Sequence, residues 1–209
     1  NIMHFYKLNI QLVAMEDYIT NGSMIIFNYI YNKPLDSKLL ALSKYKKIIF
    51  SNCELFSNHE LKDRIFEAYD NSNFDNLSYY CSRFNQPLAD SLNNCQSLTH
   101  IIFGGSFNCH LHNSLNNCTS LTHITFGFEF SQPLADSLNN CISLTHIEFG
   151  YWFNQHLGNA LDNCVALAHI EFSECFNCPL ANSLNNCSSL THIKFGNHYN
   201  KPLGNVLDN

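Results

Sequence analysis

The chain has 209 residues, of which 45% are apolar and only 13% are charged, and its formal net charge is −6 at pH 7. The whole acidic excess lies in residues 84–209, where two basic residues stand against eight acidic ones. Nucleic-acid binding needs a basic surface, so this balance argues against a nucleic-acid partner. No apolar run approaches the roughly 18 residues that span a bilayer, and no secretory signal is visible, so we expect an intracellular (cytoplasmic) or virion-associated protein without membrane insertion.

The N-terminal 83 residues carry a weak apolar pattern with a period of 23 residues. One degenerate unit fits from Leu8 and a second from Tyr31. Apolar residues share the same offsets in the two units: Leu12, Ile25 and Phe27 in the first, and Leu35, Leu39, Tyr45, Ile48 and Phe50 in the second. Residues 54–83 are interpreted as a third unit, lengthened by seven residues and containing a longer helix around HELKDRIFEAY. Residues 1–83 are thus predicted to hold about three degenerate units.

From Phe84 the same pattern becomes regular. Five 23-residue copies begin at Phe84, Phe107, Phe130, Phe153 and Phe176, and a partial sixth begins at Tyr199. Each complete copy places three Leu residues, one Ile and one Phe at fixed offsets, and the register never slips. Because one such unit cannot bury its apolar face alone, the stack is the stable entity. We interpret residues 84–209 and the degenerate units before them as one continuous solenoid.

Within each unit, the run L-T-H-I-x-F alternates with the period of a β-strand, so Ile101 and Phe103 should face inward while His100 and Ile102 face outward. The Gly that follows, as at Gly104, is expected to relieve a turn with unusual backbone angles. Pro87 then opens a predicted short helix. The sequence therefore predicts an α/β repeat solenoid, a right-handed stack with one parallel sheet face and 23-residue units.

This pattern resembles known repeat families. The run L-x-x-I-x-F, with a turn and a short helix ending in Cys, resembles leucine-rich repeats. The segment NNCSSLTHIKF at residues 185–195 resembles the BspA-like class, and FNQPL at residues 84–88 resembles the FNIP repeats of social amoebae and of giant viruses that infect amoebae. The resemblance covers residues 84–209 strongly and 8–83 weakly, and it implies a scaffold for protein–protein interaction.

Two polar ladders follow from the repeat. The Cys ladder consists of Cys95, Cys118, Cys141, Cys164 and Cys187. It could be a metal or redox column, but we favour small buried residues that close each helix, with reduced thiols and neither metal nor cofactor. One Asn ladder consists of Asn94, Asn117, Asn140, Asn163 and Asn186, and a second of Asn85, Asn108, Asn154, Asn177 and Asn200. Both are expected to satisfy backbone groups in the turns and to bond the Asn of neighbouring units.

The outward-facing His residues form a third ladder: His100, His123, His146, His169 and His192. The first interpretation is a solvated column that fits the repeat and has no further role. The second is a face that binds a ligand or metal or responds to pH, since five protonated rings one strand apart would repel each other. We favour the first, and Glu148 and Glu171 in the neighbouring outward column keep the second open.

Positions that vary between units are where a repeat protein stores specificity. The middle units place Phe128, Tyr151 and Trp152 beside acidic residues, and Trp152 is the one Trp of the chain. Aromatic residues rimmed by charge are typical of an interface, although the rings could simply cover a loop edge. The candidate partner-binding residues are Phe128, Tyr151, Trp152, Glu148, Glu171, His123, His146 and His169.

No catalytic motif is present: the sequence has no phosphate-binding Gly loop, no nucleophile elbow and no HExxH. We therefore expect a non-enzymatic interaction module that binds a protein partner through the sheet face and adjacent loops. The alternative is a structural component of a virus particle or large assembly, in which the units self-associate or pack side by side.

Overall fold

One eight-stranded sheet extends along the computed structural model, which describes residues 17–28, 30–36, 40–50 and 82–205. The strands lie in the sheet in chain order. They are β1 (Tyr18–Asn21), β2 (Met24–Phe27), β3 (Lys47–Phe50), β4 (His100–Ile102), β5 (His123–Thr125), β6 (His146–Glu148), β7 (His169–Glu171) and β8 (His192–Lys194). Helical backbone among the described residues is confined to Leu40 and a short 3-10 turn at Leu42–Lys44.

The strands from β2 to β8 are all parallel to their neighbours. His100 pairs with His123 and Ile101 with Ile124, so the residues that face each other are 23 positions apart. The same 23-residue register continues through β8. The predicted stack of 23-residue turns with a parallel sheet face is therefore confirmed.

The interior of the solenoid is a continuous column of apolar side chains. Leu98, Leu121 and Leu144 are fully buried and belong to one core cluster. Phe rings stack from unit to unit beside them, as between Phe103 and Phe126 with ring centroids 5.6 Å apart. Each fully buried ring of this size stabilises the fold by about 2–3 kcal/mol relative to an exposed one. Because every unit contributes to the same column, the core has no boundary between residues 82 and 187.

The prediction of a short helix after Pro87 is wrong, although Leu88 and Leu92 are buried as expected. The residue after the first Leu of each unit adopts a left-handed backbone conformation, with φ between 45° and 62°, at Ala89, His112, Ala135, Gly158, Ala181 and Gly204. A left-handed residue cannot continue a right-handed helix. The chain instead makes tight turns, in which Ser91 N donates to Leu88 O and Cys95 N to Leu92 O.

The Gly that follows each strand is required for a different reason from the one predicted. Gly127 and Gly150 do not have a left-handed φ. A Cβ atom on Gly150 would instead lie 1.9 Å from the Gly127 carbonyl oxygen, and one on Gly127 would lie 2.0 Å from the Gly104 carbonyl oxygen. Successive turns approach so closely here that they leave no room for a side chain. The fourth regular unit instead carries Ser173, whose hydroxyl donates to Phe153 O at 2.7 Å.

The N-terminal edge of the sheet was not predicted. Strand β1 is antiparallel to β2, and the pairing of Asn21 with Met24 leaves Gly22 and Ser23 as a two-residue loop. A two-residue Gly-Ser loop is a hairpin signal that the 23-residue frame obscured. Ile26 and Ile49 precede Ile102 in the outward columns, yet both are buried. The open part of the outward face therefore begins at β4.

Strand β3 pairs directly with β4 although residues 51–81 separate them in sequence. Phe50 and Ser82 hold the places that Phe103 and Gly105 hold in the next turn. The predicted lengthened unit at 54–83, with its helix, lies almost wholly outside the described residues. The units predicted from Leu8 and Tyr31 supply Ile25 and Phe27 in β2 and Ile48 and Phe50 in β3, all buried.

We expect Gly150→Ala to lower the free energy of unfolding by about 3 kcal/mol, because the new methyl group overlaps the backbone of the preceding turn. Urea denaturation followed by circular dichroism measures the change. The matched control is Gly158→Ala. A Cβ atom on Gly158 meets nothing within 4 Å, and Ala occupies the same place in three other units. Its left-handed φ limits the cost to about 1 kcal/mol. Equal losses in the two variants would contradict the close-approach argument.

Candidate functional site

A groove of about 570 Å³ lies on the outward face of the sheet, from β4 to β8. Two columns of side chains line it. The first residue of each strand contributes the His column and the third contributes a variable column, because alternate residues of a strand face the same side. The variable column consists of Ile102, Thr125, Glu148, Glu171 and Lys194. The groove thus combines a constant polar wall with a wall that differs from unit to unit.

The His rings form a parallel stack. Neighbouring ring centroids are 4.3–4.5 Å apart and the ring planes differ by 6–8° along the whole column. A Thr precedes most of these His residues and fixes the ring. The Thr145 hydroxyl lies 2.8 Å from His146 Nδ1 and donates to Thr122 O of the preceding turn at 3.0 Å. The Nδ1 edge therefore faces the scaffold and the Nε2 edge lies on the opposite side of the ring.

His169 departs from this arrangement because Ala168 stands where the other units have Thr. Its Nδ1 atom is buried and has no hydrogen-bond partner. The Thr ladder and its exception were missed by the sequence analysis, although the signal was present as L-A-H in place of L-T-H. At His169 the groove therefore contains a buried polar atom that lacks the Thr hydroxyl present beside the other His rings.

The stack changes the acid–base behaviour of its central rings. Burial, followed by the charges of His100, His146, Lys47 and His169, lowers the pKa of His123 from 6.5 to about 4. Burial, followed by the charge of His169, also lowers the pKa of His146. A positive charge on one ring opposes protonation of the next because the rings are one strand apart. These two imidazoles are therefore neutral at pH 7.

Carboxylates dominate the variable column. Glu148 pairs in register with Glu171, and Glu171 with Lys194. Lys194 Nζ donates to Glu171 Oε1, and this hydrogen bond, with the charge of Glu171, raises the pKa of Lys194. Both side chains of the pair are well exposed, so the pair contributes little to stability.

Three aromatic rings project from the loops after β5 and β6. Phe128 is 48% exposed, Tyr151 38% and Trp152 51%. The Phe128 and Tyr151 rings stack with centroids 5.1 Å apart, and Trp152 contacts both rings edge-on. The structure therefore separates the candidate residues into two groups. His123, His146, His169, Glu148 and Glu171 line the groove, whereas Phe128, Tyr151 and Trp152 form an aromatic cluster on the adjoining loops.

The five Cys residues of the ladder are buried in the core, free and unpaired by disulfides. Burial raises the pKa of Cys118 and of Cys164 to about 12, so both thiols stay protonated at neutral pH. The Sγ of Cys141 lies 3.8 Å from Leu115 O. Protonated thiols of this kind suit a packing role better than ligand or redox chemistry. Within the described ranges, no group of three or more His, Cys, Asp or Glu side chains is placed to hold a metal ion.

The two Asn ladders differ. Residues of the first ladder are exposed: Asn94, Asn117, Asn140, Asn163 and Asn186. The second ladder satisfies backbone groups, since Asn108 N donates to Asn85 Oδ1 at 2.9 Å and Asn200 N to Asn177 Oδ1 at 3.0 Å. The same ladder begins at Asn32, which accepts from Asn85 N. The predicted structural role of the first ladder stays a prediction.

No family model matches the sequence, and no curated protein matches it significantly. Solved structures match the fold. Internalin InlF of Listeria monocytogenes aligns with 82% of the chain at a TM-score of 0.52 and 16% identity, and internalin C2 of the same organism with 88% at 0.50 and 10%. The chain has the fold of a leucine-rich-repeat protein.

A circular leucine-rich-repeat protein, CroV588, aligns with 90% of the chain at a TM-score of 0.42 and 22% identity. The chain spans about a third of CroV588 (32%), under half of InlF (46%) and 76% of internalin C2. The described part of the chain contains no helix with the length and apolar character needed to cross a membrane.

Ala168→Thr should stabilise the protein by about 1 kcal/mol, because the new hydroxyl can bond both His169 Nδ1 and the carbonyl of the preceding turn, as Thr145 does beside His146. Thermal and urea denaturation measure the gain. Ala168→Val is the control, since Val has the shape of Thr without its hydroxyl. An equal gain with Val would show that packing, and not the missing hydrogen bond, sets the stability at this position.

Acid should destabilise the fold through His123. The unfolded chain takes up this proton near pH 6.5 and the native state only near pH 4. The contribution of His123 to the free energy of unfolding is therefore fully present above about pH 6.5, and it is lost as the pH falls to about 4. Over this pH range, we expect the free energy of unfolding of His123→Gln to fall by on the order of 1–2 kcal/mol less than that of the wild type. This figure is reduced for solvent screening at the half-exposed ring. Urea titrations at several pH values measure it. Parallel curves for His123→Gln and the wild type would contradict the assignment, and exposed His156 provides the control substitution.

Proposed function

We propose that the chain is a non-enzymatic interaction module that binds a protein partner on the groove and the aromatic cluster. Leucine-rich-repeat folds are commonly used for protein interaction, and the functional content lies in the site and not in the fold. The observation that carries the proposal is the position of the groove. The groove lies on the sheet face where one of the two outward residue columns varies from unit to unit.

The variable column supports this proposal. Inward positions repeat Leu, Ile and Phe because the core demands them, whereas the third strand residue changes from Ile102 to Thr125, Glu148, Glu171 and Lys194. The His residues beside this column are constant, so they provide a uniform wall. A surface whose polarity changes every strand spacing can distinguish one bound segment from another.

The aromatic cluster supplies the second element of an interface. Large apolar side chains in mutual contact and half exposed are typical of residues that dominate a binding energy. Phe128, Tyr151 and Trp152 do not belong to the core cluster, so their retention at the surface has no explanation in the stability of the solenoid. The rings lie on the loops that directly follow β5 and β6, next to the groove.

The cysteines bear on where such a module works. All eight Cys residues in the described ranges are free, and five of them are in the core. Oxidising compartments favour disulfides in repeat-rich extracellular chains. We therefore propose an intracellular or virion-associated setting, with no cofactor and no nucleic-acid partner.

A second candidate is a structural component of a virus particle or other large assembly. It is favoured by Ile142 and Val165, which are 55% and 51% exposed and occupy equivalent places in neighbouring turns. These residues lie on the turns that precede β6 and β7, apart from the groove residues. A lateral apolar strip of this kind would serve packing between copies.

The test uses binders selected from a displayed library on the purified protein. Tyr151→Ala with Trp152→Ala should weaken the selected binders at least about 10-fold, because truncating a central aromatic typically costs 2 kcal/mol or more. The matched control, Ile142→Ala with Val165→Ala, removes similar exposed apolar area elsewhere and should leave the affinity unchanged. Surface plasmon resonance gives both values.

The opposite pattern would decide against the module. If binding ignores the Tyr151 and Trp152 substitutions, and light scattering shows oligomers that the Ile142 and Val165 substitutions dissolve, the assembly role replaces the interaction module.

A further inference from the structure

We propose that the groove binds an extended segment that carries Arg or Lys side chains, with Glu148 and Glu171 as the carboxylates that pair with them. The inference rests on the proposed function and goes one step beyond it, since it names the chemistry of the partner. Its basis is the charge of the side chains that line the groove.

The two central rings of the His column add no positive charge at neutral pH. The pKa values of His123 and His146 are lowered, so the central rings are neutral. Five rings would otherwise make this face basic and repel a cation. With the central rings neutral, the charged side chains lining the groove at pH 7 include two carboxylates against one ammonium, Lys194. The groove therefore favours cationic over anionic ligands.

Lys194 shows how a cation is accommodated there. Its ammonium donates to Glu171, and the charges of Glu148 and Glu174 also raise its pKa. Three carboxylates thus act on one cation at the C-terminal end of the groove. We expect a guanidinium or ammonium group from a partner to pair one strand earlier, with Glu148. An Arg fork also matches a carboxylate geometrically.

The order of the columns favours an extended segment. Along each strand the His residue comes first, the carboxylate two residues later, and the aromatic loop after that. At about 3.3 Å per residue, the His and Glu columns are roughly 7 Å apart. Tyr151 of the aromatic cluster follows Glu148 by three residues, and we expect a segment that pairs with Glu148 to extend toward it, because aromatic faces attract cations. Neutral imidazoles can hydrogen-bond the backbone or polar side chains of the same segment on the other side.

The experiment measures fluorescence anisotropy with three labelled peptides of equal length, in which Thr alternates with Arg, Gln or Glu. We expect the Arg peptide to bind at least about 10-fold more tightly than the Gln peptide at pH 7.5, with an affinity that falls as salt is added. Glu148→Gln with Glu171→Gln should reduce the affinity for the Arg peptide at least about 5-fold.

The control variant removes the same net charge elsewhere. Asp90 and Asp136 are exposed on the turns and do not line the groove. Asp90→Asn with Asp136→Asn should change the affinity by less than about 2-fold. An equal loss in the two double variants would show that the attraction is one of overall charge, and it would overturn the inference.

Other outcomes separate this inference from the proposed function. Tighter binding of the Gln or Glu peptide, weakened by His146→Ala, would overturn the charge assignment while leaving the groove as a docking site. If none of the three peptides binds but the library-selected binders still depend on Tyr151 and Trp152, the inference fails and the interaction module stands. If no peptide binds and the selected binders do not depend on Tyr151 and Trp152, both the inference and the proposed interaction module are rejected.

Discussion

The close approach of successive turns is the constraint on which the rest of this structure depends. A parallel ladder holds neighbouring strands about 4.8 Å apart, and at Gly127 and Gly150 the backbones come so close that a methyl group would overlap a carbonyl oxygen. Because the spacing is set by backbone hydrogen bonds, every residue type in the repeat is copied at that spacing. The effect of each repeated side chain is therefore the effect of a whole column of copies and not of an individual residue.

Columns behave differently according to the chemistry of their members. Phe rings at this spacing stack and bury each other, which adds favourable packing at every turn. Asn side chains at the same spacing satisfy backbone N–H groups from turn to turn. Ionisable groups gain nothing from repetition when they are charged, because each charge opposes the next. Burial is the main cause of the lowered pKa of His123 and of the raised pKa of Cys118, and the charge of a neighbouring member of the column adds to each shift.

The sequence predicted what the repeat encodes by period. Alternation placed Ile101 and Ile124 inside and the His residues outside, and the 23-residue spacing set the register between strands. The prediction failed where the backbone conformation of a turn differs from the one that the sequence pattern suggests. Pro87 suggested the start of a helix, yet Ala89 adopts the left-handed region. Gly158 and Gly204 at the same position carried the correct signal, and three Ala residues in the column concealed it.

The faces of the site were predictable, but the way its residues are grouped was not. Period alone placed His146 and Glu148 on the outward side, because both belong to one strand. The aromatic rings belong to loops whose path depends on the turn after each Gly, so the sequence could not show that Phe128, Tyr151 and Trp152 contact one another. The Thr ladder was equally readable, but it becomes meaningful only once the Thr hydroxyl is seen beside the imidazole of the next residue.

A repeat protein separates scaffold from function by the places where the repeat is broken. In this chain the departures concentrate in the middle units: aromatic residues at Phe128, Tyr151 and Trp152, the carboxylates Glu148 and Glu171, and Ala168 in place of Thr. None of these changes improves the core, and the last leaves His169 Nδ1 buried without a partner. An unsatisfied buried polar atom costs stability, and exposed aromatic residues invite aggregation. These costs fall together on one face and its adjoining loops, and the bound partner that we propose would offset them, because the core of the solenoid contains none of these residues.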